Sequence, residues 1–153
     1  MEVNKLSKIQ GCLIGGAIGD ALGWPVEFLK YNQILEKYNG EIKDFCYKTD
    51  DYAEITDDTQ MTLYTAEGLL RYWPIMHDCG YNEYMITKTI YDSYMRWGHG
   101  QGIRRYDVKF KRANEIKTRL DQIPALKQDR APGNTCINSL RGGKMGNIHI
   151  PIN

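Results

Sequence analysis

The stretch LSKIQGCLIGGAIGDALG, Leu6 to Gly23, decides how this 153-residue chain is read. Leu6, Ile9, Leu13 and Ala17 recur at helical spacing, with Ile14, Ile18 and Leu22 beside them. Gly11, Gly15, Gly19 and Gly23 recur every fourth residue and so line one ridge of the same helix. Each helical glycine costs roughly 0.5–1 kcal/mol relative to alanine. Four on one ridge call for a compensating gain, and close approach by another backbone supplies one. The pattern predicts a central, tightly packed helix. A glycine-rich loop is the competing reading, and the apolar period running through the glycines speaks against it.

Outward from this helix, the other long segments also have helical periods. Trp24-Pro25 ends the first helix, because proline lacks a donor and pushes the residue before it out of the helical region. A short helix is expected over Tyr31–Tyr38, stopped by Asn39-Gly40. Leu63, Ala66, Leu69, Leu70 and Trp73 form the stripe of a helix over Met61–Trp73, with Pro74 as its stop. Another is expected over Tyr81–Trp97, with Tyr84, Tyr91, Tyr94 and Met95 as a core-facing stripe, and Gly98, Gly100 and Gly102 then breaking the chain into a loop. A basic helix follows over Val108–Leu120. A last short one ends at Leu140, capped by Asn134 or Thr135 and closed by Gly142-Gly143. Lys43–Ala53 and Asn147–Asn153 read as extended but short. The expected fold class is all-α.

Composition narrows the function classes. Twenty Lys and Arg against nineteen Asp and Glu give a net charge of +1, no support for non-specific nucleic-acid or membrane binding. The basic stretch Arg104–Arg119 contains Asp107 and Glu115 and reads first as a solvated helix face. Four cysteines without a CxxC pair argue against a disulfide framework or zinc ribbon and fit a reducing cytoplasm. The start MEVNKLSKIQ is unlike a signal peptide, and the apolar run Gly11–Leu22 is too short to span a bilayer. His77, His99 and His149 share no ligand spacing, and no strand precedes the glycines as a dinucleotide loop would need.

Chemistry concentrates at Thr56-Asp57-Asp58, just before the Met61 helix. Adjacent carboxylates at a helix start are stabilised by the dipole, so capping by Thr56 with acids in the first turn explains them. Hydroxyl and carboxylate oxygens also suit a hard cation such as Mg²⁺ or Mn²⁺. Glu27 follows a proline turn that aims it, as an acid or base in a cleft would be aimed, or stands as a solvated carboxylate.

Three segments together resemble the ADP-ribosylglycohydrolases, including the dinitrogenase reductase-activating glycohydrolases. They are GCLIGGAIGDALGWPVEF (Gly11–Phe28), ITDDTQMTLYTAEGLL (Ile55–Leu70) and RAPGNTCINSLRGG (Arg130–Gly143), in the family's order. The resemblance implies an all-α fold with two Mg²⁺ ions, Mn²⁺ in some members, in a cleft. It implies metal ligation by Thr56, Asp57 and Asp58 and places the family's glutamate at Glu27. It also implies hydrolysis of the glycosidic bond between ADP-ribose and a protein side chain or small acceptor, so that an ADP-ribosylated protein or an ADP-ribose-like molecule would be the partner. Thr56, Asp57 and Asp58 are then expected near Gly19-Asp20 and Glu27.

The family's second half supplies an N-x-S-x-G-x-G segment and a D-x-D-T motif, neither found in residues 1–153. The chain therefore reads as the N-terminal part of a single domain, truncated at about half length. Incomplete metal binding, exposed apolar helix faces and a homo-oligomer or complementing chain are expected. A truncated, non-catalytic member is the alternative function.

Overall fold

The computed structural model describes residues 4–45, 47–49, 52–103, 117–147 and 149–152. The fold is all-α: among the described residues, strand is confined to a hairpin of β1 (Tyr47–Thr49) and β2 (Tyr52–Ala53), which pair antiparallel. The chain divides into two compact units, Met1–Thr59 and Gln60–Asn153.

In the first unit, α1 spans Lys5–Gly23, and Asn4 caps it by accepting the Leu6 N–H at 3.1 Å. A 3₁₀ turn over Trp24–Val26 follows, with Pro25 at its start. Helix α2 covers Tyr31–Tyr38, the range predicted. Gln33 Oε1 accepts the Lys30 N–H at 2.8 Å at its start. Asn39 and Gly40 end it with φ of 50° and 82°, the left-handed geometry that an Asn-Gly pair tolerates.

The packing expected of α1 is not found. A Cβ built on Gly11, Gly15, Gly19 or Gly23 would meet nothing within 4 Å. Ile9 and Ile14 are about 60% exposed, and Ala21 is the helix's buried residue. The glycines make a backbone approach possible, but no described part of the first unit makes it.

Helix α3 (Asp57–Cys79) begins in the first unit and runs on in the second. It passes through Pro74, which was expected to stop it. Proline deprives the Leu70 carbonyl of its donor. Leu70 is 73% exposed, so its carbonyl is open to solvent and the helix continues at small cost.

The second unit is organised around α3 and α4 (Glu83–Gly100). Asn82 caps α4, accepting the Met85 N–H at 3.0 Å. The close approach happens here, at Gly68: a Cβ on it would lie 2.6 Å from Ile90 Cα. Gly98 does not break α4. It lies inside the helix, where a Cβ would come within 3.1 Å of both Ile103 Cδ1 and Leu140 Cδ1. It is the seat for Leu140 of α5 (Asn134–Gly142). The chain turns at Gly102 instead, φ 83°, and the Ile103 N–H returns to the Gly98 carbonyl at 2.9 Å.

Tyr64, Tyr72, Met95, Trp97, Leu126 and Leu140 form the core. Tyr84, expected there, is 60% exposed, while Met95 of the same stripe is buried. Two 3₁₀ turns, Leu120–Gln122 and Pro124–Lys127, bring Leu126 inward. Gly133 starts α5 without a side-chain cap, so neither Asn134 nor Thr135 fills that position, and Gly143 closes it in the left-handed region. Most of the helix expected over 108–120, and most of the basic stretch, lie outside the described residues.

A buried polar residue, Gln60, ties the elements of this core together. Gln60 is fully buried, and its amide is saturated. Nε2 donates to the carbonyls of Ala125 (2.9 Å) and Gln128 (3.0 Å). Oε1 accepts from Trp97 Nε1 (3.0 Å) and Gln101 Nε2 (3.1 Å). A buried amide with all four bonds made fixes one arrangement of α3, α4 and the 125–128 segment.

Candidate functional site

A cleft of about 420 Å³ in the first unit is lined by glycines of α1 with Asp20, Trp24, Glu27, Thr56 and Asp58. Its geometry follows from Asp20. A lone carboxylate in the apolar run of α1 needs partners, and the start of α3 supplies four. Thr56 donates its N–H to Asp20 Oδ2 at 2.8 Å and its hydroxyl to Oδ1 at 2.7 Å. Thr59 donates its N–H at 3.2 Å and its hydroxyl at 2.5 Å, both to Oδ2.

Capping is thus shared between two residues. Thr56 Oγ1 accepts the Asp58 N–H at 3.2 Å, the local cap expected from sequence. Asp20, thirty-nine residues before Thr59, satisfies the Thr59 N–H. A carboxylate at a helix N-terminus also complements its dipole. Neither Asp20 nor Thr59 stood out as a candidate in the sequence. The signal was there: the only charge between Lys8 and Glu27 sits among glycines and aliphatics.

Of the sequence-predicted site residues, Glu27, Thr56 and Asp58 line the same cleft. Asp57 is half-buried and stands outside that lining. Glu27 and Asp58 are exposed, and Thr56 is half-buried. Trp24, in the cleft wall, has its Nε1 buried without a hydrogen-bond partner, a donor left for an acceptor oxygen.

These oxygens suit a hard cation in kind and fall short in number. Thr56 Oγ1 donates a hydrogen bond to Asp20 and accepts one from the Asp58 N–H, which leaves one lone pair. The Asp58 and Glu27 carboxylates are the other oxygen donors in the cleft lining. The Asp20 oxygens are engaged by four hydrogen bonds and act as scaffold. Among the described residues, no group of three or more His, Cys, Asp or Glu is placed to hold a metal ion. An octahedral cation takes six oxygens, so one each from Thr56, Asp58 and Glu27 would leave about half of the shell to water.

In the second unit, Tyr64 and Arg96 form a separate charged cluster. Arg96 pairs through Nη2 with Glu67, and its Nε is 3.7 Å from Asp121. Burial pulls the Arg96 guanidinium down from its ordinary value. Burial, with the Asp121 charge beside it, pushes the Tyr64 phenol up to about 12.

No single helix among the described residues is long and apolar enough to cross a membrane. No solved structure matches the chain. A curated protein of Archaeoglobus fulgidus, described as an uncharacterized protein, is 42% identical over 66 residues, 41% of this chain and 21% of its own length. The aligned stretch thus spans about a fifth of that relative. The model of the family described as ADP-ribosylglycohydrolase matches residues 1–149, across both units. The chain belongs to the ADP-ribosylglycohydrolase family.

Proposed function

We propose that the cleft of Asp20, Glu27, Thr56 and Asp58 serves hydrolysis of the glycosidic bond between ADP-ribose and a protein side chain or small acceptor. An ADP-ribosylated protein or an ADP-ribose-like molecule would be the partner. The observation that carries the reading is the convergence of Glu27, Thr56 and Asp58 on one cleft in a chain of this family. The match running through residues 1–149 supports reading both units as part of a single family domain.

Thr56 and Asp58 would hold Mg²⁺ or Mn²⁺, which would polarise the substrate and bind its ribose hydroxyls. Asp57, outside the cleft lining, would join them only after a change of rotamer or backbone. Asp20 keeps the Thr56 hydroxyl aimed by accepting its hydrogen bond. Glu27 is exposed to the cleft and acts on the proton of the attacking water, or shields the positive charge that grows at the anomeric carbon. The Trp24 indole N–H, buried without a partner in the cleft wall, would take a substrate oxygen only after the wall shifts to expose it.

Turnover of ADP-ribosyl-arginine and ADP-ribosyl-serine peptides with Mg²⁺ or Mn²⁺ tests this. Release of ADP-ribose is expected, with Glu27→Gln lowering kcat about 10²-fold, as loss of a general acid or base does. Calorimetry should show weak cation binding that Asp58→Ala abolishes. A chain that neither hydrolyses these peptides nor binds either cation would overturn the proposal. If Asp57→Ala and Asp58→Ala then only lower helix stability, capping is their whole role.

A further inference from the structure

A second cavity, of about 660 Å³, lies entirely within the second unit and shares no residue with the cleft above. Its lining includes Arg96, Lys117, Lys127, Thr118, Tyr64 and Asp121. Among the described lining residues, Arg96, Lys117 and Lys127 accompany one carboxylate, Asp121. Neither lysine has an ion-pair partner among the described residues.

The carboxylates near Arg96 are already committed. Asp121 Oδ2 accepts the Thr118 N–H (2.9 Å) and hydroxyl (3.2 Å), and Oδ1 receives the Tyr64 hydroxyl at 3.5 Å. Its 3.7 Å separation from Arg96 Nε is too long for a hydrogen bond. Glu67 Oε2 takes Arg96 Nη2 and also the Ser93 hydroxyl at 3.0 Å. The Arg96 side chain is 2% exposed, and Nη1 is buried with no hydrogen-bond partner. A guanidinium has five donors, and leaving one unmet in the interior is costly.

A buried planar fork flanked by two unpaired point charges matches an oxyanion of more than one charge. We infer that this cavity binds a phosphate group, free or as the monoester of a small molecule. Arg96 gives the directed hydrogen bonds. Lys117 and Lys127 supply charge at the exposed mouth. Asp121 holds Thr118 in place and limits the attraction. The site goes beyond the glycosidic reading and does not rest on it.

The test uses the full chain, titrated calorimetrically with inorganic phosphate and with a sugar phosphate at fixed ionic strength. Saturable binding at one site is expected. Lys117→Glu combined with Lys127→Glu, both at exposed positions, should weaken it at least tenfold. Asp121→Asn keeps an acceptor for Thr118 and removes the opposing charge, so it should tighten binding severalfold. A purely structural role for Asp121 predicts no such gain. Arg96→Met alone strands Glu67, so it is paired with Glu67→Leu; this apolar pair should fold and lose binding. A sugar phosphate bound tighter than phosphate assigns the site to an ester, and equal affinities assign it to the free ion. Asp58→Ala should leave both affinities unchanged, which separates this site from the cleft. Absence of saturable binding in the wild type, or unchanged binding in the double lysine variant, overturns the inference.

Discussion

Two glycine-bearing helices of this chain have opposite fates. Helix α1 lines up Gly11, Gly15, Gly19 and Gly23 on one ridge, and no described atom of its own unit comes within 4 Å of a Cβ built there. Helix α3 has Gly68, with no repeat around it, and there the backbone of α4 comes so close that a methyl would overlap Ile90 Cα. Spacing shows where a backbone approach is permitted. Only a partner decides where it occurs. The same contrast runs through burial: α1 leaves Leu6, Ile9, Ile14 and Ile18 exposed, while α4 buries Met95, Arg96, Trp97 and Gly98.

The largest effects should fall on the buried side of that comparison. Gln60→Leu removes the partner of the Trp97 indole and of the Ala125 and Gln128 carbonyls at once. Each buried group left unmet costs about 1–3 kcal/mol, so a loss of about 3–5 kcal/mol is expected in urea unfolding. A loss below about 1 kcal/mol would show that the network is dispensable and weaken the contrast. Next comes Gly68→Ala. Its Cβ meets backbone, which cannot rotate away, so about 1–3 kcal/mol should be lost, with α3 and α4 pushed apart. An unchanged midpoint would mean the two helices part without cost.

How much of this was legible differs by element. The ends of α1 and α2 were readable from local signals. Asn39-Gly40 ends α2 with positive φ. Trp24-Pro25 marks the end of α1, although Trp24 keeps helical φ and ψ of −54° and −35° and the chain tightens into a 3₁₀ turn instead of leaving the helical region. Pro74 and Gly98 misled for one reason. Both break helices in isolation, and both were overruled by surroundings that sequence does not print: solvent exposure at Leu70 and the side chains of Ile103 and Leu140. At the cleft, Thr56 was legible as a cap because it bonds two residues ahead. Asp20 was not, because its four donors lie thirty-six and thirty-nine residues away. The Arg96 cavity is assembled from α3, α4 and the 117–127 segment, and no spacing announces it.

A smaller effect depends on pH. Tyr64 is buried beside Asp121, and its phenol is pushed from 10.0 up to about 12. The folded state thus favours the neutral phenol. That contribution is complete below pH 10 and is lost as pH rises through about 12. At about 1.4 kcal/mol per pH unit, the rise sets an upper bound of roughly 3 kcal/mol. Stability of the wild type should fall more steeply over this window than that of Tyr64→Phe. Parallel curves would place Tyr64 in a wetter setting than its burial indicates.

The smallest effect is the most direct probe of the uncovered ridge. Gly15 lies in the middle of α1 at ordinary helical geometry, and a Cβ there meets nothing within 4 Å. If the ridge stays uncovered in solution, Gly15→Ala adds no clash and narrows the unfolded ensemble. It should then stabilise the protein by about 0.5–1 kcal/mol, and Gly11→Ala should do the same. Gly68→Ala supplies the opposite sign in the same assay. The comparison breaks if Gly15→Ala destabilises, because a single methyl can do so here only by meeting a surface that covers α1. Repeating the measurement over a range of protein concentrations then tells what that surface is. A penalty that vanishes on dilution comes from a second molecule, and a penalty independent of concentration comes from within the chain.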